Sequence, residues 1–340
     1  MTKKVLLFFV FFVIAVFTGA LFIHSFHKVV ATQTPIVIYN TSKTPTRPED
    51  LLQEDGEIDE TPEEANLEVE NASEKDDLTH PFSFVVVADA ETYSTPSRQN
   101  DVFEHMLSLS ASHKPAFALF TGDLLTFDFP DKNQLRNVKK LIEKYYDKYY
   151  IAVGKHDVEC GAKCVDAWNK VFYDKDPVAG EEKILYHSFD HENTHFVLLS
   201  SDFPLKHSID DNQLKWLDED LSKTDKDHTI IAIHVPPVNF FKKSAKECHD
   251  MTCSEPQRTK LINILKKYHV DLVLSGHEHA FDHKVVDGID FVLAGNSGNG
   301  KRYKDSTWED SFSLVNVSKN HITLKGIHSN GEVIREIQIK

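Results

Sequence analysis

His277 and His279 are two histidines whose spacing suits metal binding. They follow the apolar run Val270–Leu274 and Gly276, a pattern that predicts a buried strand ending in a turn. In extended backbone, residues two apart point to the same side. Two imidazoles at the carboxyl end of a buried strand are good ligands for a divalent metal. The alternative is a pair of surface histidines in an ordinary loop.

Polar residues follow four other predicted strands in the same way. Any one of these residues could be a helix cap, a turn residue or a satisfied core residue. An ordered set of five such junctions favours a common site instead. The four junctions are Asp89 and Glu91 after Phe82–Ala88, Gly122-Asp123 after Ala116–Phe120, Gly154-Lys155-His156-Asp157 after Tyr149–Val153, and His234 after Thr229–Ile233.

The elements that must position these residues alternate between strands and helices. Helices predicted at Asn100–His113 and Gln134–Tyr146 separate the first three strands, which indicates α/β units with a parallel sheet. Ligand groups in such sheets gather beyond the carboxyl ends of the strands. Further helices are predicted at Ala162–Tyr173, Gln213–Leu221 and Glu255–Tyr268, a hairpin at Lys183–Phe189 and His195–Ser201, and antiparallel strands at Val285–Leu293, Phe312–Val317, His321–Ile327 and Val333–Ile339.

The residue types define the chemistry that such a site could perform. A mixed set of carboxylates and imidazoles suits Mn, Fe or Zn. A site with two ions about 3.5–4 Å apart activates a water and clamps a phosphoryl group for in-line displacement.

The order and spacing of these motifs resemble the calcineurin-like metallophosphoesterase family. The family pattern is Asp-x-His, Gly-Asp, Gly-Asn-His-Asp/Glu, a lone His and Gly-His-x-His, and the resemblance covers about residues 82–328. It implies an α/β fold, a four-layer sandwich of two mixed β-sheets flanked by helices, with the metals at the strand ends.

The resemblance also implies a role for each matching residue. Asp89, Asp123 and His279 would bind the first metal, with Asp123 bridging to a second metal bound by His234 and His277. His156 would be the catalytic histidine, and Asp157 would orient it, as a carboxylate fixes an imidazole tautomer. The loop at Asn296–Gly300 resembles the glycine-rich loop that often follows the last ligands, and its alternative is an ordinary turn.

Glu91 and Lys155 depart from the family pattern. Glu91 replaces a histidine, and Lys155 replaces the asparagine that binds the second metal. A carboxylate can still bind the first metal and favours harder ions, whereas an ammonium group has no lone pair to offer. We expect the two side chains to face each other, because opposite charges about 4 Å apart attract by on the order of a few kcal/mol, less the desolvation penalty. One metal would then bind firmly and the second weakly or not at all. The alternative is that Lys155 points to solvent.

The N-terminal segment has the composition of a membrane anchor. Lys3 and Lys4 precede the 19-residue apolar run Val5–Ile23, which as a helix would be about 28 Å long, close to the hydrocarbon thickness of a bilayer. We expect residues 1–30 to form a cytoplasmic stub and an anchor, with the remainder outside the cytoplasm. The alternative is a signal peptide cleaved near Val29-Val30-Ala31, which would make the protein secreted.

Residues 31–80 are predicted to form a disordered acidic linker before a folded domain at residues 81–340. Fourteen acidic residues and one lysine lie between Glu49 and Asp77, and such a stretch buries too little apolar surface to order itself. The formal net charge of −15 argues against a partner held by nucleic-acid phosphate contacts.

The four cysteines fall in two close pairs. A shared zinc site is one interpretation, but in an exported protein two disulfides are favoured. Three connectivities are open, and we favour bonds between near neighbours, Cys160 with Cys164 and Cys248 with Cys253.

Together these patterns predict an exported, membrane-tethered, metal-dependent hydrolase of phosphate mono- or diesters. Metal-activated water would attack phosphorus, and His156 would assist the leaving group. The alternative is a catalytically impaired relative that binds a phosphorylated or carbohydrate ligand at the cell surface, an interpretation motivated by Glu91 and Lys155. The natural substrate is not specified by the sequence.

Overall fold

The computed structural model describes residues 38–39, 81–126, 132–173, 185–241, 250–298 and 309–340. The strands are β1 (Ile38–Tyr39), β2 (Phe82–Val87), β3 (Phe117–Phe120), β4 (Lys148–Ile151), β5 (His187–His191), β6 (Thr194–Leu199), β7 (His228–Ile233), β8 (Leu272–Ser275), β9 (Ala280–Val286), β10 (Ile289–Gly295), β11 (Ser311–Val317), β12 (Ile322–His328) and β13 (Val333–Gln338). The helices are α1 (Arg98–Ala111), α2 (Lys132–Tyr145), α3 (Lys155–Val158), α4 (Ala162–Phe172), α5 (Asp211–Leu221) and α6 (Glu255–Lys267).

The strands form two mixed sheets. The first sheet has the order β1-β4-β3-β2-β11-β12-β13, in which β2, β3 and β4 are parallel. The second has the order β5-β6-β7-β8-β10-β9, in which β6, β7, β8 and β10 are parallel. In each sheet the parallel strands therefore end at one common edge, and the loops that follow them are neighbours.

Three apolar cores separate four layers. Between the sheets, Phe84 of the first packs edge-to-face on Phe196 of the second, with ring centroids 5.2 Å apart. A second core, which includes Phe103 and Trp168, lies between the first sheet and helices α1, α2 and α4. A third lies between the second sheet and helices α5 and α6. The expected sandwich of two mixed sheets flanked by helices is confirmed.

The helices follow the apolar spacing of the sequence. In α5, Leu214, Leu217 and Leu221 recur three or four residues apart and are buried on one face. The side chain of Asp210 accepts hydrogen bonds from the backbone N–H groups of Asn212 and Gln213, which satisfies donors that the first turn leaves free.

Three elements differ from the sequence prediction. Strand β1 lies inside the segment predicted to be a linker and pairs antiparallel with β4, so it covers an edge of the first sheet. Strands β9 and β10 form a hairpin with the predicted turn at Asp287-Gly288, both with positive φ, but β9 begins at Ala280, before the predicted Val285. Strand β10 also pairs in parallel with β8, a long-range contact that the local pattern does not encode.

The predicted membrane-anchored localisation is wrong. Among the residues that the structure describes, no helix is long and apolar enough to cross a bilayer. The described helices are amphipathic and bury one face against a sheet. The run Val5–Ile23 and the acidic stretch Glu49–Asp77 lie outside the described residues.

The first predicted disulfide, Cys160–Cys164, is present, with Cα atoms 5.3 Å apart. Cys253 is also in a disulfide. Its predicted partner Cys248 lies outside the described residues.

Candidate metal centre

The loops after the parallel strands are joined by backbone hydrogen bonds. Asp89 N–H donates to the Gly122 carbonyl at 3.2 Å, and Gly276 N–H donates to the His234 carbonyl at 3.0 Å, so neighbouring loops of each sheet are linked. Ser297 N–H donates to the Ala88 carbonyl at 2.9 Å and links the loop after β10 to the loop after β2. The two sheets therefore place their carboxyl-end loops at one shared edge.

Five of the predicted site residues have left-handed backbone conformations. Non-glycine residues rarely adopt positive φ, and such positions persist where the surrounding structure holds them, often at functional sites. The angles are +52° at Asp89, +41° at Glu91, +51° at Asp123, +71° at His277 and +53° at His279.

Asp123, His234 and His277 form the first convergent set. One ligand atom from each lies within 4.8 Å of the other two. Nε2 of His234 is 3.1 Å from Oδ2 of Asp123, and both side chains are buried. Nδ1 of His234 lies 2.9 Å from the Thr121 carbonyl and donates to it, since a carbonyl can only accept. In the neutral ring this leaves the lone pair on Nε2, facing the carboxylate.

Glu91, Asp123 and His156 form a second set with ligand atoms within 4.8 Å, and all three are buried. Oε1 of Glu91 is also 3.4 Å from Nε2 of His279, which in turn is 3.8 Å from Oδ1 of Asp89. The Glu91 carboxylate therefore borders both the His156 side and the His279 side of the centre.

The carboxylate of Asp157 bonds to backbone N–H groups, and its predicted role in orienting His156 stays a prediction. Its two oxygens accept the backbone N–H groups of Gly154 at 2.9 Å and Leu125 at 3.2 Å, which ties the loop after β4 to the loop after β3. Glu159, one helical turn after His156, places Oε2 3.2 Å from Nδ1 of His156. Nε2 of the same ring lies 3.8 Å from Oδ2 of Asp123. The backbone N–H of His156 donates to Oδ1 of Asp123 at 2.8 Å.

Lys155 is the first residue of α3 and is half-buried beside His156. Its expected ion pair with Glu91 stays a prediction.

The charges of the centre favour a cation. Burial by itself would lower the pKa of His234, but the carboxylates of Asp123, Asp89 and Asp202 raise it to about 10. Burial and the nearby charge of Asp123 raise the pKa of Asp157 to about 7. Burial also raises the pKa of Asp89 well above its usual value. A field that holds a proton on a buried imidazole would also favour a metal ion.

The residues present fit a divalent metal. Oδ2 of Asp89 is buried and makes no hydrogen bond within the described part of the chain. A buried acceptor of this kind is costly unless a cation or a water satisfies it. The donor set of carboxylate oxygens and imidazole nitrogens is one that Mn, Fe and Zn accept.

The comparisons with known proteins agree with this geometry. The family model of calcineurin-like phosphoesterases matches residues 82–281, which is more than half of the chain. The protein belongs to this family.

Relatives of the phosphoesterase domain are distant. Purple acid phosphatase 23 of Arabidopsis thaliana is 30% identical over 138 residues, 38% of this chain and 28% of that protein. A probable cyclic nucleotide phosphodiesterase of Rhodococcus erythropolis is 26% identical over 222 residues, 64% of this chain and 69% of that protein. Among solved structures, a purple acid phosphatase from yellow lupin, PPD1, has a TM-score of 0.62 at 14% identity, over 78% of this chain and 54% of that chain. At that identity, the structural likeness shows the fold alone.

Sequence reasoning missed three residues of this phosphoesterase site. Glu159 contacts His156, and Asp202 and His207 lie in the loop after β6. The signal for that loop was present, because Ser200-Ser201-Asp202 follows an apolar strand like the other site residues. It was overlooked because His195–Ser201 was interpreted as half of a hairpin, whereas β6 also pairs in parallel with β7. Of the predicted Asn296–Gly300 loop, Asn299 and Gly300 lie outside the described residues.

Proposed function

We propose that this protein is a metal-dependent hydrolase of phosphate esters. The observation that supports it most directly is the convergence of Asp123, His234 and His277 in one set of ligand atoms. Membership of the calcineurin-like phosphoesterase family supports the reaction class. The names of the distant relatives include both phosphatases and a phosphodiesterase, so the proposal covers monoesters and diesters.

Asp123 is the central ligand of the proposed site. Its Oδ2 faces His234 at 3.1 Å and His156 at 3.8 Å, and its Oδ1 is fixed by the backbone N–H of His156. His234 is held by its bond to the Thr121 carbonyl, which sets the tautomer needed of a ligand. A divalent ion at this set would activate a water and offset the negative charge of the phosphoryl group.

His156 is proposed to contact the phosphate or the leaving group. It is buried at the edge of the ligand set and retains one nitrogen directed towards Asp123. Glu159 borders the other nitrogen and would hold the ring in a single orientation. General acid catalysis by a positioned imidazole is worth roughly 10²–10⁴-fold in rate.

We propose that the firmly bound ion is the one at Asp123, His234 and His277. The resemblance to the family predicted that the firmly bound ion would lie at Asp89, Asp123 and His279 instead. The revision follows from geometry, because a carboxylate and two imidazoles offer three ligand atoms within 4.8 Å. Mn, Fe or Zn is expected, and Glu91 would favour the harder ions at any second position.

Hydrolysis of aryl phosphate mono- and diesters in the presence of Mn²⁺ tests the proposal. We expect the wild-type chain to hydrolyse at least one class, Asp123→Asn to lose metal and activity, and His156→Ala to keep its metal while losing roughly 10²–10⁴-fold in kcat. His321→Ala is the matched histidine control, because His321 is exposed and its Nδ1 lies 3.4 Å from the carbonyl oxygen of Lys340. A metal-loaded wild-type chain that cleaves neither ester class would contradict the proposal.

A further inference from the structure

The loop between β6 and α5, Ser200–Ile209, is fixed at both ends. Gln213 accepts from Ser200 N–H at 2.8 Å and donates to the Ser200 carbonyl at 2.9 Å, which ties the loop to α5. Ser208 N–H donates to the Ser201 carbonyl at 2.8 Å and closes the loop on itself. Val235 N–H donates to Oγ of Ser201 at 3.1 Å, so the loop is also tied to the residue after His234.

His207 is held within this loop by a buried carboxylate. Its backbone N–H donates to Oδ1 of Asp202 at 3.3 Å, and its Nε2 lies 3.7 Å from the same oxygen. The Asp202 side chain is only 1% exposed, and Ser201 Oγ donates to its other oxygen at 2.7 Å. His207 adopts φ of +49°, a left-handed conformation that the loop must maintain.

The ring of His207 packs on the ring of His277. Their centroids are 5.0 Å apart with an interplanar angle of 68°, and the ring of His277 also meets the ring of His234, with centroids 5.2 Å apart and an angle of 81°. The imidazole of His277 therefore contacts two other imidazoles. His234 is fully buried, whereas His277 is half-buried, so the contact from His207 adds to the packing around a partly exposed ligand ring.

We propose that His207 is a positioning residue, whose ring, held by Asp202, fixes the imidazole of His277 in the orientation that metal binding requires. This inference rests on the proposed function, because it assigns His277 to the metal. A ligand imidazole must direct one lone pair at the ion, and outer contacts that hold such rings commonly contribute 10- to 100-fold to metal affinity or activity. The fixed loop and the buried Asp202 supply a rigid support for that contact.

Binding of Co²⁺ tests the inference, because its visible absorption reports the ligand geometry as well as the affinity. We expect His207→Ala to lower Co²⁺ affinity by roughly tenfold and to alter the absorption bands. His207→Phe keeps a ring against His277 without its nitrogens and should recover most of the affinity. Leu205→Ala is the matched control in the same loop, because Leu205 is 41% exposed and its truncation should leave Co²⁺ binding unchanged.

The outcomes separate this inference from the proposed function. Wild-type chain that binds no Co²⁺ would contradict the metal site itself. Wild-type and His207→Ala chains that bind Co²⁺ with equal affinity and equal spectra would overturn the positioning role and leave the proposed function standing. If His207→Ala lowers the melting temperature of the metal-free chain, His207→Phe decides the matter: a folded Phe variant that binds as weakly as the Ala variant would also refute positioning by the ring.

Discussion

Gly154→Ala adds one methyl group where Gly154 packs directly against Asp123 of the candidate metal centre. A Cβ at this position would lie 2.2 Å from the backbone nitrogen of Asp123 and 2.3 Å from its Oδ1. The backbone of Gly154, with φ of −102° and ψ of 176°, is one that alanine adopts readily. The effect of the substitution must therefore come from the steric overlap with Asp123 and not from backbone conformation.

The size of the effect follows from that overlap. To move from 2.3 Å to the 3.4 Å of ordinary contact, Oδ1 of Asp123 must shift by about 1 Å. Metal–ligand distances tolerate deviations of only about 0.2 Å, so the shift should remove Asp123 from the ligand set. Overpacking of this kind costs about 1–3 kcal/mol of stability. We expect loss of bound metal and of phosphoesterase activity, with a moderate loss of stability.

Metal content of the purified chain, activity with Mn²⁺ and urea unfolding measure the three effects. Gly161→Ala is the matched control, because a Cβ there meets nothing within 4 Å, although its φ of +67° is unfavourable for alanine. It should lose about 1–3 kcal/mol of stability and keep its metal. Wild-type metal content in Gly154→Ala would refute the reasoning.

Three further predictions concern His156, the metal and a distant histidine. Glu159→Gln should lower kcat by no more than about fivefold, since a partly exposed ion pair contributes about 0–1 kcal/mol. Asp157→Asn should mainly lower stability, by about 1–3 kcal/mol, because the amide nitrogen of asparagine cannot accept one of the two buried backbone N–H groups. The reverse pattern in kinetics and urea unfolding would show that Asp157 orients the ring. A chelator should lower the melting temperature, and Mn²⁺ should restore it, by an amount that grows with ion concentration; an unchanged melting temperature would argue for a metal-free structural role. Burial alone would lower the pKa of His195, but its bonds to Asp220 at 2.9 Å and Asp190 at 2.7 Å raise it. The charged ring then stabilises the fold in full at pH values below the unfolded pKa near 6.5, and less as the pH rises through the higher folded pKa. His195→Gln should therefore reduce the free energy of urea unfolding more at pH 6 than at pH 9. An equal loss at both pH values would refute this explanation.

Local chemistry allowed much of the fold and the candidate metal ligands to be predicted from sequence. Apolar runs that stop near a glycine, a carboxylate or a histidine marked β2, β3, β7 and β8, because such runs are buried and their polar ends must leave the sheet. Leucines at helical spacing marked α5 for the same reason. The order of Asp123, His234, His277 and the other ligands identified the family, which the family match over residues 82–281 confirms.

Contacts between residues distant in the chain could not be predicted in this way. The parallel pairing of β8 with β10 depends on the whole sheet, and the pairing of β6 with β7 brings Asp202 and His207 to the metal edge. The direction in which α3 begins places Oε2 of Glu159 against Nδ1 of His156, whereas the carboxylate of Asp157 accepts backbone N–H groups.

The sequence by itself determined which residues could bind a metal and on which strand ends they lie, because residue type and apolar pattern are local properties. Only the tertiary structure decided which of them converge and what supports them. Distances such as the 3.1 Å between His234 and Asp123, or the 5.0 Å between the rings of His207 and His277, arise from packing two sheets together. That packing is a property of the whole domain, which no segment of the chain specifies alone.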